Sequence, residues 1–236
     1  MTVELSIIFP AYNEEPVIRQ NLLQVKKKMD ELHLNYEIIV VDDGSTDDTF
    51  QQAQWLEDVR LKVLASKPNR GKGYAIKLGM NKAQGAYRLF MDVDLSTSLD
   101  EIEPFLTVIR QGQSDLVIGY RNLRQNQPWY REFLGKGFTV LSRTLICCDY
   151  HDFTCGFKMF TASAGEKIFS RQRIYDWAFD AEILYLAKRG RLKVRSLPVQ
   201  WQHEGDSKVH LVRDIVNSLI SLLKIRWYAL RGYYRP

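Results

Sequence analysis

The sequence predicts an α/β protein, with a mostly parallel central sheet, helices on both faces and a C-terminal amphipathic helix. Apolar runs alternate with stretches of helical period in a βαβαβ rhythm through the first half. Polar residues follow directly on the ends of these runs, where open parallel sheets place their ligands. Near the C-terminus, apolar residues from Leu211 to Trp227 recur at helical spacing among Arg and Lys.

Each element has its own signal. Leu5 to Phe9 reads as a buried strand. Glu15 to Leu32 reads as a helix with Val17, Ile18, Leu22, Val25 and Met29 on one face. Glu37 to Val41 is a second strand, ended by Asp42-Asp43-Gly44-Ser45, and Thr46 is the expected N-cap of the next helix. Leu61 to Ala65 is a third strand and Gly73 to Ala83 a helix. Tyr87 to Met91 is a fourth strand, Leu99 to Arg110 a helix and Leu116 to Gly119 a short fifth strand. Beyond it, Trp129 to Cys148 reads as a helix, Phe153 to Phe160 as extended and Asp180 to Arg189 as a helix. Leu192 to Trp201 is strand-like, with Pro198 marking an edge, and Leu211 to Tyr228 is a long helix.

Composition narrows the class. With 236 residues and 45% hydrophobic content the chain is long enough for a substantial core. No run of about 18 uncharged apolar residues predicts a transmembrane helix, and no basic-then-apolar start predicts a signal peptide. Cys147, Cys148 and Cys155 match neither zinc nor disulfide spacing, so reduced thiols in a cytoplasmic protein are expected. From Arg189 onward ten Lys or Arg face three acids, so that segment carries about +7 and the remainder about −2. A basic tail implies an anionic partner, either nucleic acid or membrane lipid.

Three motifs carry chemistry. Asp92-Val93-Asp94 follows the fourth strand, and alternate side chains of an extended segment share a face. Two carboxylates so placed suit Mg²⁺ or Mn²⁺, which completes its shell with water and substrate phosphates; the competing reading is a pair of loop aspartates capping the next helix. Asp42 and Asp43 follow the second strand and either accept hydrogen bonds from a ribose and base or cap a turn. Asn69-Arg70-Gly71-Lys72-Gly73 follows the third strand; its glycines allow close backbone approach and its cations suit phosphate, although a plain basic turn would look alike. It lacks the spacing of a P-loop.

Together with Pro10-Ala11-Tyr12-Asn13-Glu14, these motifs resemble the family 2 glycosyltransferases. That resemblance implies inversion at the sugar and the GT-A nucleotide-diphospho-sugar fold, with its Rossmann-like sheet. Phe153-Thr154-Cys155-Gly156-Phe157-Lys158-Met159-Phe160, Trp177-Ala178-Phe179-Asp180-Ala181-Glu182 and Glu204-Gly205-Asp206-Ser207-Lys208-Val209 resemble the polyprenyl-phosphate branch. Within it the likeness is to dolichyl-phosphate β-glucosyltransferases and, more distantly, to the mannose synthases. The implied domain is 1–209, with a nucleotide-sugar half at 1–125 and an acceptor half at 126–209, followed by a basic helix at 210–236.

The resemblance also assigns residues. Pro10, Tyr12, Glu14 and Asp43 would hold base and ribose with support from Asp42. Arg70, Gly71, Lys72 and Val93 complete the nucleotide-sugar set, and Asp92 and Asp94 are the metal ligands. Arg121, Arg131 and Lys208 would receive the acceptor phosphate. A lipid phosphate is already an anionic nucleophile, so the site needs positive charge and in-line geometry more than a base. Asp180 stands where relatives with hydroxyl acceptors carry their base; Asp152 and Glu182 are lesser candidates, and His151 and His203 read as structural. Ser96 occupies a position near the metal where mannose synthases often have glutamine.

The implied reaction moves glucose from UDP-glucose to a polyprenyl or dolichyl phosphate. The alternatives are mannose from GDP-mannose, a hydroxyl acceptor with Asp180 as base, or a non-catalytic nucleotide- or nucleic-acid-binding protein. The expected partners are the nucleotide-sugar donor, the lipid phosphate and an anionic membrane surface, with no nucleic acid. The expected location is cytoplasmic, peripheral on a membrane's cytoplasmic face. The C-terminal helix either lies on that membrane or packs on the domain with its basic face in water.

Overall fold

The computed structural model describes residues 2–121, 137, 140, 142–146, 150, 152–202 and 211–235, without the side chains of 211–216. Its strands are β1 (Leu5–Ala11), β2 (Tyr36–Asp42), β3 (Leu61–Ala65), β4 (Tyr87–Met91), β5 (Leu116–Arg121), β6 (Phe157–Thr161) and β7 (Val194–Val199). They form one sheet in the order β3-β2-β1-β4-β6-β5-β7. β1 to β4 are mutually parallel where they pair, β6 runs against both β4 and β5, and β7 lies parallel to β5. β5 therefore runs in the same sense as β4, and Arg121 emerges at the sheet end where Ala11, Asp42, Ala65 and Met91 emerge. β7, carrying Pro198, is an edge strand, as a residue without an N–H requires.

The helices are α1 (Glu15–Glu31), α2 (Thr49–Gln54), α3 (Lys72–Lys82), α4 (Ile102–Arg110), α5 (Ala162–Phe169), α6 (Phe179–Arg189) and α7 (Leu211–Leu230). Residues 142–146 are also helical; the rest of the helix expected over 129–148 lies almost wholly outside the described residues. Alternation along the strands divides the core into two layers. Ile8, Ile39, Val41, Phe90, Ile118 and Phe160 face Ile76 and Met80 of α3, Phe169 of α5, Ile183 of α6 and Leu222 and Ile225 of α7. Leu5, Ile7, Phe9, Ile38, Val40, Leu89 and Met159 face Ile18, Leu22, Val25 and Met29 of α1 and Phe105 and Ile109 of α4. Each such fully buried side chain contributes roughly 1.5–3 kcal/mol of transfer free energy.

Two local expectations are corrected. Thr46 does not cap α2, which begins at Thr49 behind Asp48. Instead Thr46 N donates to Asn13 Oδ1 at 2.9 Å, tying the β2 loop to the β1 loop. The extended conformation expected through Asp92 and Asp94 stops at Met91, because residues 93 and 94 form a turn and Leu95 has φ of 54°. Leu95 N closes that turn on Asp92 O at 3.3 Å.

Candidate active site

The site lies along the carboxyl ends of β1, β2, β4 and β5. After β1, Glu14 N donates to Thr49 Oγ1 at 2.7 Å and Asn13 N to Ser45 Oγ at 2.9 Å. Asn13, at φ of 54°, thus links the first two loops through both backbone and side chain. Tyr12 remains 39% exposed beside them.

Asp42 and Asp43 are both buried, and both work inside the protein. Asp42 Oδ1 accepts from Ser45 N at 3.1 Å and from its hydroxyl, which makes the turn. Gly44 there has φ of 77°, and a Cβ would meet Asn69 N at 2.9 Å. Asp43 accepts Arg70 N at 3.0 Å and Gly71 N at 2.7 Å, one on each carboxylate oxygen. Burial raises the Asp43 carboxyl above its ordinary range, against the pull of those two N–H donors. Asp43 therefore fastens the 69–71 loop to the end of β2.

That loop aims two cations. Arg70 stacks over the Tyr74 ring at 3.6 Å. Lys72 Nζ pairs with Asp92 Oδ1 at 2.5 Å and lies 5.5 Å from the Trp177 ring centroid. Burial works against the Lys72 charge, but Asp92, Asp180 and Asp94 outweigh it and raise its pKa. Gly71 and Gly73 are needed for this approach. A Cβ on Gly71 would meet Tyr175 O at 2.4 Å, and one on Gly73 would meet Phe179 Cβ at 2.6 Å.

Asp92 and Asp94 come together in the turn after β4. Asp94 Oδ1 accepts Ser96 N at 3.0 Å, and Asn21 holds Val93 O at 2.8 Å. Burial first, and the neighbouring Asp92 charge second, raise the Asp94 carboxyl. Two like charges held this close favour a cation, and the Lys72 ammonium already occupies one side of Asp92. Among the described residues no cluster of three or more His, Cys, Asp or Glu could hold a metal. Two carboxylates could serve a hard dication that takes its remaining ligands from substrate phosphates and water.

Gly156, which motif reasoning did not single out, forms the wall behind Asp92. β6 starts beside the end of β4, with Phe157 paired to Met91, so Gly156 backs onto Asp92. A Cβ there would stand 2.1 Å from Asp92 Oδ2. A glycine just before a strand was the available signal.

Arg121 is present at the end of β5, in a fork with Asp152: Nε to Oδ2 at 2.7 Å and Nη2 to Oδ1 at 2.9 Å. Thr154 Oγ1 also accepts from Nη2 at 2.6 Å. Burial opposes the Arg121 charge and Asp152 more than restores it, so its pKa is raised. Asp152 therefore orients a guanidinium. Arg131, Lys208, His151, His203, Cys147 and Cys148 lie outside the described residues. Ser96, apart from its N–H to Asp94, accepts Gln202 N at its carbonyl at 2.9 Å.

Asp180, in the first turn of α6, is buried and bonded to Lys158 Nζ at 2.6 Å. Burial raises its carboxyl, and Lys158 and Lys72 act in the opposite direction. Glu182 accepts Arg173 N at 3.0 Å, Ile174 N at 2.8 Å and the Tyr234 hydroxyl at 2.5 Å. It ties the 173–174 segment to Tyr234.

A Glycosyl transferase family 2 model matches residues 6–169. The chain is a member of that family. A dolichyl-phosphate β-glucosyltransferase of Dictyostelium discoideum is 32% identical over 99% of this chain and 77% of its own length. The glycosyltransferase AglD of Haloferax volcanii is also 32% identical, over 95% of this chain but only 37% of that larger protein. Glucosyl-3-phosphoglycerate synthase from Mycobacterium tuberculosis, solved with Mn²⁺, UDP-glucose and phosphoglyceric acid, superposes with a TM-score of 0.70. At 18% identity, over 95% of this chain and 80% of that one, it shows the shared GT-A fold.

Proposed function

We propose that this family member transfers glucose from UDP-glucose to a polyprenyl or dolichyl phosphate, with inversion, giving a β-linked lipid phosphosugar. The 32% identity to a dolichyl-phosphate β-glucosyltransferase across 99% of the chain supports the transferred glucose and the lipid phosphate acceptor. The observation that carries the acceptor is the ion pairing of the second half. Asp180, the carboxylate where a base for a hydroxyl acceptor would stand, is committed to Lys158, and an oriented arginine, Arg121, stands at the end of β5. Such a site suits a nucleophile that arrives as an anion.

In this reading Tyr12, Pro10 and Glu14 receive the base and ribose, with Asp42 and Asp43 holding the loops that shape their pocket. Asp92 and Asp94 would hold Mg²⁺ or Mn²⁺, which when bound neutralises charge on the departing nucleotide diphosphate. Lys72 and Arg70 add positive charge on the diphosphate side. Arg121, joined by Arg131 and Lys208, draws in the acceptor phosphate; Arg121's planar fork, braced by Asp152 and Thr154, gives that phosphate a fixed direction.

The lipid must be met at a membrane, and α7 offers the surface. Among the described residues no helix is long and apolar enough to cross a membrane. α7 packs on the domain through Ser218, Ser221, Leu222 and Ile225. It leaves Ile220, Leu223, Trp227 and Leu230 exposed, with exposed Lys224 and Arg231 alongside. Apolar and basic side chains on one outer face suit a peripheral helix on anionic lipid at the cytoplasmic face. A donor screen with polyprenyl phosphate tests the proposal. UDP release with formation of glucosyl lipid is expected; transfer only from GDP-mannose, or only to a hydroxyl acceptor, would overturn it.

A further inference from the structure

We propose that Lys158 is a positioning residue for the transfer reaction: one buried ammonium braces the 153–156 turn against helix α6 and so fixes both Arg121 and the seat of Asp92. The proposal rests on the reading of Arg121 as an acceptor residue and of Asp92 as a metal ligand. Lys158 lies in β6 with its side chain fully enclosed. An ammonium has three donors, and all three are used: Asp180 Oδ1 at 2.6 Å, Phe153 O at 3.1 Å and Cys155 O at 2.5 Å. Two of the acceptors belong to the turn and the third to the first turn of α6.

The turn matters because of what its neighbours hold. Asp152 and Thr154 together make the hydrogen bonds that orient Arg121. Gly156 sits against the Asp92 carboxylate with no room for a methyl group. A shift of the turn would therefore move the acceptor cation and a metal ligand together. The Asp43 loop, by contrast, is fastened to the end of β2 by backbone N–H groups, and it reaches Asp92 through the Lys72 side chain at its end. A buried lysine is costly unless every donor is met and a counter-charge is present. An apolar residue at 158 would satisfy the core alone, so the charge answers to the turn.

The test separates positioning from bulk stability. Lys158→Met alone leaves the Asp180 charge buried without its partner and is expected to unfold the protein or lower its melting temperature sharply. The double variant Lys158→Met with Asp180→Leu removes both charges at similar volume and is expected to fold. In that variant the KM for polyprenyl phosphate should rise about tenfold or more, since a misplaced group costs on that scale. Mn²⁺ binding in the presence of UDP, followed by the Mn²⁺ electron paramagnetic resonance signal, should weaken severalfold. Affinity for uridine, measured without metal, should stay at the wild-type value. A folded double variant with wild-type KM and wild-type Mn²⁺ binding would overturn the proposal, as would an equal loss of uridine affinity. Wild-type enzyme that ignores polyprenyl phosphate would refute the acceptor reading instead, and the Mn²⁺ measurement would still decide the brace.

Discussion

The segment up to Arg121 and the segment from Asp152 onward hold their site residues by different means. In the first, functional groups stand where parallel strands end, and backbone N–H groups hold three of the carboxylates: Arg70 and Gly71 for Asp43, Ser45 for Asp42, Ser96 for Asp94, while Lys72 pairs with Asp92. In the second, side chains hold other side chains across long separations: Asp152 holds Arg121, Lys158 holds Asp180, and Tyr234 holds Glu182. The first arrangement follows from topology. The second depends on particular pairs of side chains.

The sharpest way to break this comparison lies in the first segment. Asp94→Asn should cost roughly 10³-fold or more in kcat while leaving the melting temperature near wild type, as expected where charge developing in the transition state loses its stabilisation. Wild-type turnover that still requires metal would remove Asp94 from the metal site.

Gly156→Ala tests where the two segments meet. The added methyl would displace the Asp92 carboxylate, and misplacement on the order of 1 Å costs about 10²-fold in rate. A folded variant with unchanged kcat would show that Asp92 can move away without loss.

The third prediction concerns stability and pH. Burial raises the Glu182 carboxyl from its ordinary 4.5 to about 7, despite hydrogen bonds from Tyr234, Ile174 and Arg173 and the nearby Lys77 charge. The folded chain then binds this proton more tightly than the unfolded chain does. Its contribution is therefore present below pH 4.5 and is lost as the pH rises to about 7. Over that window the loss is on the order of 3 kcal/mol. Glu182→Gln should flatten the corresponding fall in melting temperature; an unchanged slope would assign the fall to other groups.

The smallest effect concerns the outer face of α7. Trp227→Ala with Leu230→Ser should reduce flotation with anionic vesicles severalfold while changing stability by only about 0.5 kcal/mol per site, since both side chains are exposed. Undiminished flotation would move the membrane contact elsewhere.

Much of the parallel half was legible from sequence. β3 and β4 fall where their apolar runs predict, and the stripe Ile18, Leu22, Val25 and Met29 is the buried face of α1. Thr46 misled because a hydroxyl residue before a helix has the same local signature whether it caps that helix or bonds to another loop. Asp42 and Asp43 were open between ligand contacts and a turn for a similar reason. Their partners at Ser45, Arg70 and Gly71 show them shaping loops. The sequence leaves open whether α7 meets a membrane or packs on the domain. One face packs on the domain and the opposite face stays in solvent, which a helical repeat alone does not assign to either side.

The sequence by itself determined the α/β class, the placement of polar motifs at strand ends and the Asp92 and Asp94 pair. These rest on periodicity and short-range spacing, which local chemistry encodes. Only the tertiary structure decided that Gly156 is the wall behind Asp92, that Asp152 aims Arg121 and that Lys158 neutralises Asp180. Those pairings join residues up to 64 positions apart, across antiparallel strands and a helix start. No local pattern marks them, because burial and charge compensation exist only once the chain has closed on itself.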